Sequence, residues 1–307
     1  MKNIADFLEL LMGKTGFPED SKDTFRDIHT KLLNNPSAAA RFDAICTQID
    51  NGARKEALAD ADALAESLDV HPYSIDLYVF MAKALPLRAQ YKAAGYDEQV
   101  YWDSMTDLRA KLIECRDVYA INGSFVASWF PGFFEMTRFA LGRLQFEITT
   151  FNEDKPYICG NYTVHPGDKV INIHIPSLGP LPTESVLDAL ARAYRFPYFK
   201  DVRVGESDVK AFVCHSWLLY PGHRDFLPPH LNILKFMDCF DIIDFDEEHG
   251  FGNQWRVFGK YKDAAPEALP TDTSLRRAYA ERLRQDGLTG SGNGILLFDG
   301  EKILKSR

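Results

Sequence analysis

The chain has 307 residues, 46% hydrophobic and 26% charged, a globular composition long enough for one large domain or two of ordinary size. Its net charge of −9 comes with no Lys/Arg run longer than pairs such as Arg276-Arg277, which argues against nucleic acid as a partner. No stretch approaches the ~18 uninterrupted apolar residues of a membrane span, and five scattered cysteines without a C-x-x-C argue against a disulfide framework or a cysteine-rich zinc site.

The N-terminus, MKNIADFLELLMGK, carries acidic residues within its apolar run, so it reads as an amphipathic helix and not a signal peptide. A soluble, cytoplasmic protein is expected. Ile4, Phe7, Leu8 and Leu11 share one face of that helix. AAARFDAICTQID and ARKEALADADALAESL are rich in helix formers. In HPYSIDLYVFMAKALPLRAQYKAAG the apolar series Ile75, Leu77, Tyr78, Met81, Leu85 ends at Gly95. EQVYWDSMTDLRAKLIECRDVYAING spaces Tyr101, Met105, Leu108, Leu112 and Cys115 by three or four residues. No strand pattern precedes residue 140.

After Gly142 the period changes. In RLQFEITTF, Leu144, Phe146 and Ile148 alternate with Arg143, Gln145, Glu147 and Thr149. YICGNYTVHPGDKVINIHIP reads as strands joined by a turn at His165-Pro166-Gly167-Asp168. PTESVLDALARAYRF reads as a helix, and VKAFVCHSWLLY as a strand apolar enough to be central. Pro228 and Pro229 are expected to open a helix over PHLNILKFMDCF, and DIIDFDE and QWRVFGKY to be strands. TSLRRAYAERLRQDGL reads as an amphipathic helix stopped at Gly287-Leu288, and the chain ends in a hairpin. The fold class is α+β: an all-α domain over 1–124, then a mixed α/β domain over 125–307.

Strand alternation singles out a polar face. Asn172 and His174 share a face, as do Gln145 and Glu147, and as do Val213, His215 and Trp217. If these strands are neighbours, Glu147, Asn172, His174 and His215 converge, and a carboxylate beside an imidazole makes a general base. The plainer readings are a solvated strand face for Glu147 and satisfied core residues for the histidines. A metal site of His174, His215 and Glu147 is a further alternative. Cys214, of opposite parity to His215, makes no Cys–His dyad with it. Gly290-Ser291-Gly292-Asn293-Gly294 looks like a phosphate loop, but no helix follows it, so a turn or bulge is expected. The acidic run Asp244–Glu248 is expected to be solvated.

The segments RFALGRLQFE, VINIHIP, FVCHSWLLYP, LPPHLNILKF and LPTDTSLRRAYAERLRQDGLTGSGNG resemble those of bacterial acyltransferase-domain-containing proteins. In these, a helical N-acyltransferase N-terminal domain precedes a domain similar to the Gcn5-related N-acetyltransferase fold. The resemblance spans nearly the whole chain. It implies an N-acyltransferase taking acyl-CoA, such as acetyl-CoA, as co-substrate and a small-molecule or peptide amine as acceptor. It further implies a coenzyme pyrophosphate cradle at Ser177, Leu178, Gly179 and Leu181, with Thr183 as N-cap of the following helix. Tyr220 is implied as the acid that protonates the leaving thiolate, with Glu147 or His174 as base. The loop departs from the family pattern: Pro180 and Pro182 remove two N–H donors, the loop has no basic residue, and Glu184 adds a negative charge. A non-catalytic ligand-sensing or scaffold protein that kept the fold and lost the cradle is therefore the second reading.

Overall fold

The computed structural model describes residues 2–306, which form two compact units divided between Phe139 and Ala140. The first unit is helical: α1 (Lys2–Thr15), α2 (Glu19–Asn34), α3 (Pro36–Asp50), α4 (Arg54–Leu68), α5 (Pro72–Ala93), α6 (Glu98–Tyr119) and the short α7 (Pro131–Phe134). Pro36 and Pro72 open their helices behind Asn35 and His71, whose side chains accept from the Ala38 and Tyr73 N–H groups. Asp97 caps α6 by accepting from the Gln99 N–H. Gly95 stops α5 as its position suggested: it is left-handed at φ +75°, and the Tyr96 N–H reaches back to the Tyr91 carbonyl at 3.1 Å.

Helix α5 is buried around most of its circumference, through Ile75, Leu77, Tyr78, Phe80 and Met81. Phe130 and Phe134 pack on Phe80 with ring centroids 4.9 and 5.1 Å apart. The stretch after residue 125 therefore belongs with the helices, and the units part later than the 124/125 boundary read from the sequence.

One shielded carboxyl in α5 carries a measurable consequence. Asp76 has a buried Oδ1 with no hydrogen-bond partner, and burial, with Asp62 adding, pushes its carboxyl up to about 7. Between pH about 4 and about 7 the folded chain holds a proton that the unfolded chain releases, so this group lowers stability as pH rises through that window. Asp76→Asn is expected to flatten that dependence and to stabilise the protein by about 1–3 kcal/mol at pH 8. Thermal unfolding of both proteins from pH 5 to pH 8 checks this; parallel curves would show that Asp76 is ionised throughout.

The second unit is built on a sheet. Its strands are β1 (Arg138–Leu141), β2 (Leu144–Thr150), β5 (Lys169–His174), β6 (Lys210–Ser216), β7 (Asp241–Glu248), β8 (Thr289–Phe298) and β9 (Ile303–Leu304). The order is β1-β2-β5-β6-β8-β7, with β9 also on β8, while β3 (Tyr157–Cys159) and β4 (Tyr162–Val164) form a separate hairpin. Strands β5 and β6 run parallel, and the pairs β2–β5, β6–β8, β7–β8 and β8–β9 are antiparallel. Parallel neighbours need a crossover, and α8 (Thr183–Arg195) supplies it; the remaining helices are α9 (His223–Phe226), α10 (Asn232–Met237), α11 (Gln254–Phe258) and α12 (Ser274–Arg284).

Registry gives the sheet two unlike faces. Phe146, Ile171, Ile173, Phe212 and Leu296 lie on one, where Phe146 meets Phe199 and Phe212 edge to face. On the other, Val170, Ala211, Ile295 and Leu297 are covered by Phe151, Tyr157, Cys159 and Val164. Further along the strands that second face turns polar, at Glu147, Asn172, His174, His215 and Asn293.

Several expectations are corrected. QWRVFGKY is not a strand: α11 buries the adjacent Val257 and Phe258 together, which a strand with one solvated face does not allow. Helix α10 starts at Asn232 instead of Pro228, because the prolines spend themselves on a turn closed by the Leu231 N–H on the Pro228 carbonyl. The left-handed residue after α12 is Asp286, at φ +50°, and Gly287 only donates its N–H back to Arg282. Residues 290–294 form no turn: they lie inside β8, between β6 and β7, and the register of β7 shifts between Ile242 and Asp244, opposite Gly294 and Asn293.

Candidate active site

The site is assembled at the carboxyl ends of β5 and β6. Ligands in α/β proteins gather beyond the carboxyl ends of parallel strands, where helix N-termini and loops also lie. Pairing between these two strands is limited to Ile171 with Phe212 and Asn172 with Val213, so it has ended before either strand reaches its histidine. Strand β5 then leads through the 175–182 loop into α8.

Registry brings the predicted residues of β2 and β5 together. Gln145 stands opposite His174, and Glu147 opposite Asn172. His174 Nε2 lies 2.6 Å from Glu147 Oε1, and the Asn172 amide nitrogen lies 3.2 Å from that Nε2 and 3.5 Å from that Oε1. The His174 and Glu147 side chains are 18% and 23% exposed, shielded from bulk water yet reachable. With Glu147 ionised, His174 Nε2–H donates to it, and the lone pair of the neutral ring resides on Nδ1. A carboxylate that fixes an imidazole's tautomer and can stabilise its cation is a general-base arrangement.

His215 lies on the same face but makes a different pair: its Nδ1 is 2.7 Å from Asn293 Oδ1 of β8. Beside the His215–Asn293 pair is a cavity of about 500 Å³ lined by Thr149, Glu153, Asn172, His215, Asp244 and Asn293. Burial raises the Glu153 carboxyl above its ordinary value, with Asp244 and Asp154 adding. Asn293 was visible in the sequence only as part of a glycine-rich turn, because its pairing with His215 depends on β8 being a strand.

The alternative of a His174–His215–Glu147 metal triad is not formed, and among the described residues no group of three His, Cys, Asp or Glu side chains is spaced to hold a metal ion. Cys214 is buried, on the face opposite His215, and burial pushes its thiol up to about 12.

Tyr220 is not brought to this face. Strand β6 ends at Ser216, whose hydroxyl accepts from the Leu218 N–H, so Trp217 enters a 3₁₀ turn and loses the parity expected of it. The turn carries Tyr220 to the far side of the sheet, with its ring against Gly290. Its hydroxyl donates to Glu247 Oε1 at 2.6 Å, and burial together with that carboxylate pushes the phenol up to about 12.

The 175–182 loop joins β5 to α8, with a different cap from the one expected. Pro182, not Thr183, is the N-cap residue of α8, and no side chain caps the helix. Its carbonyl accepts from the Ser185 and Val186 N–H groups. Gly179 is left-handed at φ +72°, with open space where a Cβ would be, so a ligand can approach its backbone closely. The loop's missing basic residue is supplied from β2's leading edge: Arg143 donates through Nε to the Pro180 carbonyl at 2.8 Å, through Nη1 to Pro176 at 2.9 Å and through Nη2 to Gly179 at 3.0 Å. Nothing in the linear sequence marked Arg143, which reads there as one more polar residue of an alternating strand.

Comparison with known proteins agrees with this architecture. Residues 6–136 match the model of the N-acyltransferase N-terminal domain, and residues 139–296 that of the GNAT-like C-terminal domain. Among solved structures, an acyltransferase mutant in complex with octanoyl-CoA is similar over 94% of this chain and 86% of its own, with 20% identity and a TM-score of 0.70. An acyltransferase in complex with decanoyl-CoA and teicoplanin has the same coverage and identity and a TM-score of 0.69. An acyltransferase in complex with decanoyl-CoA covers 94% of this chain and 98% of its own, at 19% identity and a TM-score of 0.61. At these identities the likeness is one of fold. Curated proteins gave no match.

Proposed function

The chain belongs to the GNAT-like C-terminal domain family, and from that premise we propose that it is an acyl-CoA-dependent N-acyltransferase. The observation that carries this reading is the Glu147–His174 hydrogen bond of 2.6 Å on the polar face, at the carboxyl end of the parallel pair. The similar structures hold octanoyl-CoA and decanoyl-CoA, which makes medium-chain thioesters the first donors to try. The acceptor is a small-molecule or peptide amine, taken up by the cavity beside Asn172 and His215. No helix among the described residues is long and apolar enough to cross a membrane, and the five cysteines are unpaired; both suit work in the cytoplasm, where thiols stay reduced.

In this reading the amine nitrogen forms a C–N bond to the thioester carbonyl carbon while His174 Nδ1 takes the N–H proton. The C–S bond then breaks, and the imidazolium returns that proton to the coenzyme sulfur, giving amide and free thiol. Glu147 steadies the imidazolium throughout. One histidine thus serves as base and then acid, and Tyr220, hydrogen-bonded to Glu247 of β7 with its ring against Gly290 of β8, serves as a packing anchor. The prolines at 180 and 182 remove two amide donors from the loop, which is the ground of the non-catalytic alternative.

Coenzyme binding separates the two. Decanoyl-CoA at ~100 times its Kd is expected to add about 2.7 kcal/mol of stability, a rise of several degrees in Tm, with ATP as the phosphate control. No shift with any acyl-CoA at millimolar concentration would leave the scaffold reading.

A further inference from the structure

We propose that Arg143 is the positioning residue of the coenzyme site: it draws the carbonyls of the 176–180 loop to one side, so that the loop's amides are presented to the pyrophosphate on the other. The assignment rests on the acyl-CoA reading above.

A guanidinium offers five N–H donors in a rigid planar fork. Arg143 spends three of them on three carbonyls of one short loop, those of Pro176, Gly179 and Pro180. Across a trans peptide the C=O and the following N–H point to opposite sides, and no cis bond occurs among the described residues. With the Pro176 and Pro180 carbonyls on the guanidinium, the Ser177 and Leu181 N–H groups are directed away from it. The third carbonyl, of Gly179, precedes Pro180, which has no N–H to direct. Gly179 falls between these two peptide units in the chain and has nothing within 4 Å of where its Cβ would be, which leaves room for a bulky anion.

The arrangement answers the chemical weakness of the loop. Prolines hold its shape, and one cation, charged even where burial lowers its pKa, neutralises the carbonyl ends of the peptide dipoles. Arg143 directly precedes β2, the strand that bears Glu147, so the same residue ties the cradle to the candidate base.

The test compares binding of decanoyl-CoA with that of S-decanoylpantetheine, which keeps the thioester and lacks the phosphates. The wild type is expected to prefer the coenzyme. In Arg143→Gln and Arg143→Lys that preference, the ratio of the two Kd values, is expected to fall at least about 10-fold. A ratio of affinities measured in one sample does not depend on how much of a variant is folded. Both variants keeping the wild-type ratio, whatever their Tm, would reduce Arg143 to a structural residue. Full restoration by lysine alone would show that a point charge suffices, and would overturn the shaping role. A wild type that binds neither compound would fail the acyl-CoA reading itself and take this assignment with it.

Discussion

His174→Ala is expected to lower kcat about 100- to 10,000-fold with little change in acyl-CoA affinity, the loss typical of a general base. The expectation comes from the proposed mechanism and the geometry of the pair: with Glu147 Oε1 at 2.6 Å from the ring, the alanine variant would, on that proposal, lose both the proton acceptor and the group that returns the proton to sulfur. Glu147→Gln is expected to keep the imidazole but misorient it, with a smaller loss of about 10- to 100-fold. Turnover with an identified amine, and coenzyme binding on the same samples, separate chemistry from binding. A His174→Ala enzyme with near wild-type kcat would remove the base assignment and return the pair to a hydrogen-bonded surface feature. A loss confined to coenzyme affinity would move His174 into the binding site.

A large stability effect is expected at Gly292. A Cβ there would stand 2.3 Å from the Leu219 carbonyl oxygen and 2.8 Å from its carbon, both backbone atoms that cannot swing aside. Leu219 closes the 3₁₀ turn after β6, so relief would require moving that turn or prying β8 from β6. Gly292→Ala is expected to cost about 3 kcal/mol or more, roughly 6–12 °C of Tm. Gly13→Ala is the matched control: no atom lies within 4 Å of its Cβ position inside α1, and the helix is expected to gain about 0.5–1 kcal/mol. Equal Tm values for the Gly292 variant and the wild type would mean that the turn does not rest on β8.

The glycines of β8 also explain where sequence reasoning stopped. Glycine weakens a strand by itself, and G-S-G-N-G has the composition of a turn. What makes it a strand is the close approach of other chain segments: Asp246 to Gly290, Leu219 to Gly292, Phe240 to Gly294. No local signal announces such contacts, because they belong to residues tens of positions away. QWRVFGKY failed for a related reason: a short apolar run suits either strand or helix until its neighbours decide how many of its faces are buried.

The periodic elements were legible because period alone determines a face. Alternation in β2, β5 and β6 put Glu147, Asn172, His174 and His215 on one side of their strands, and the observed register confirms that placement. Helical spacing and the stop at Gly95 likewise follow from local chemistry. By itself, then, the sequence determined an all-α part followed by a mixed α/β part, and the parity of every candidate side chain on a strand. Only the tertiary structure decided which of them meet. His174 pairs with Glu147 and His215 with Asn293 because strand order and register are long-range properties. Tyr220 crosses to the far face because β6 breaks at Ser216, and Arg143 reaches the 176–180 loop because β2 lies beside β5. Such contacts join segments whose proximity depends on closing the whole sheet, and no window of neighbouring residues encodes that closure.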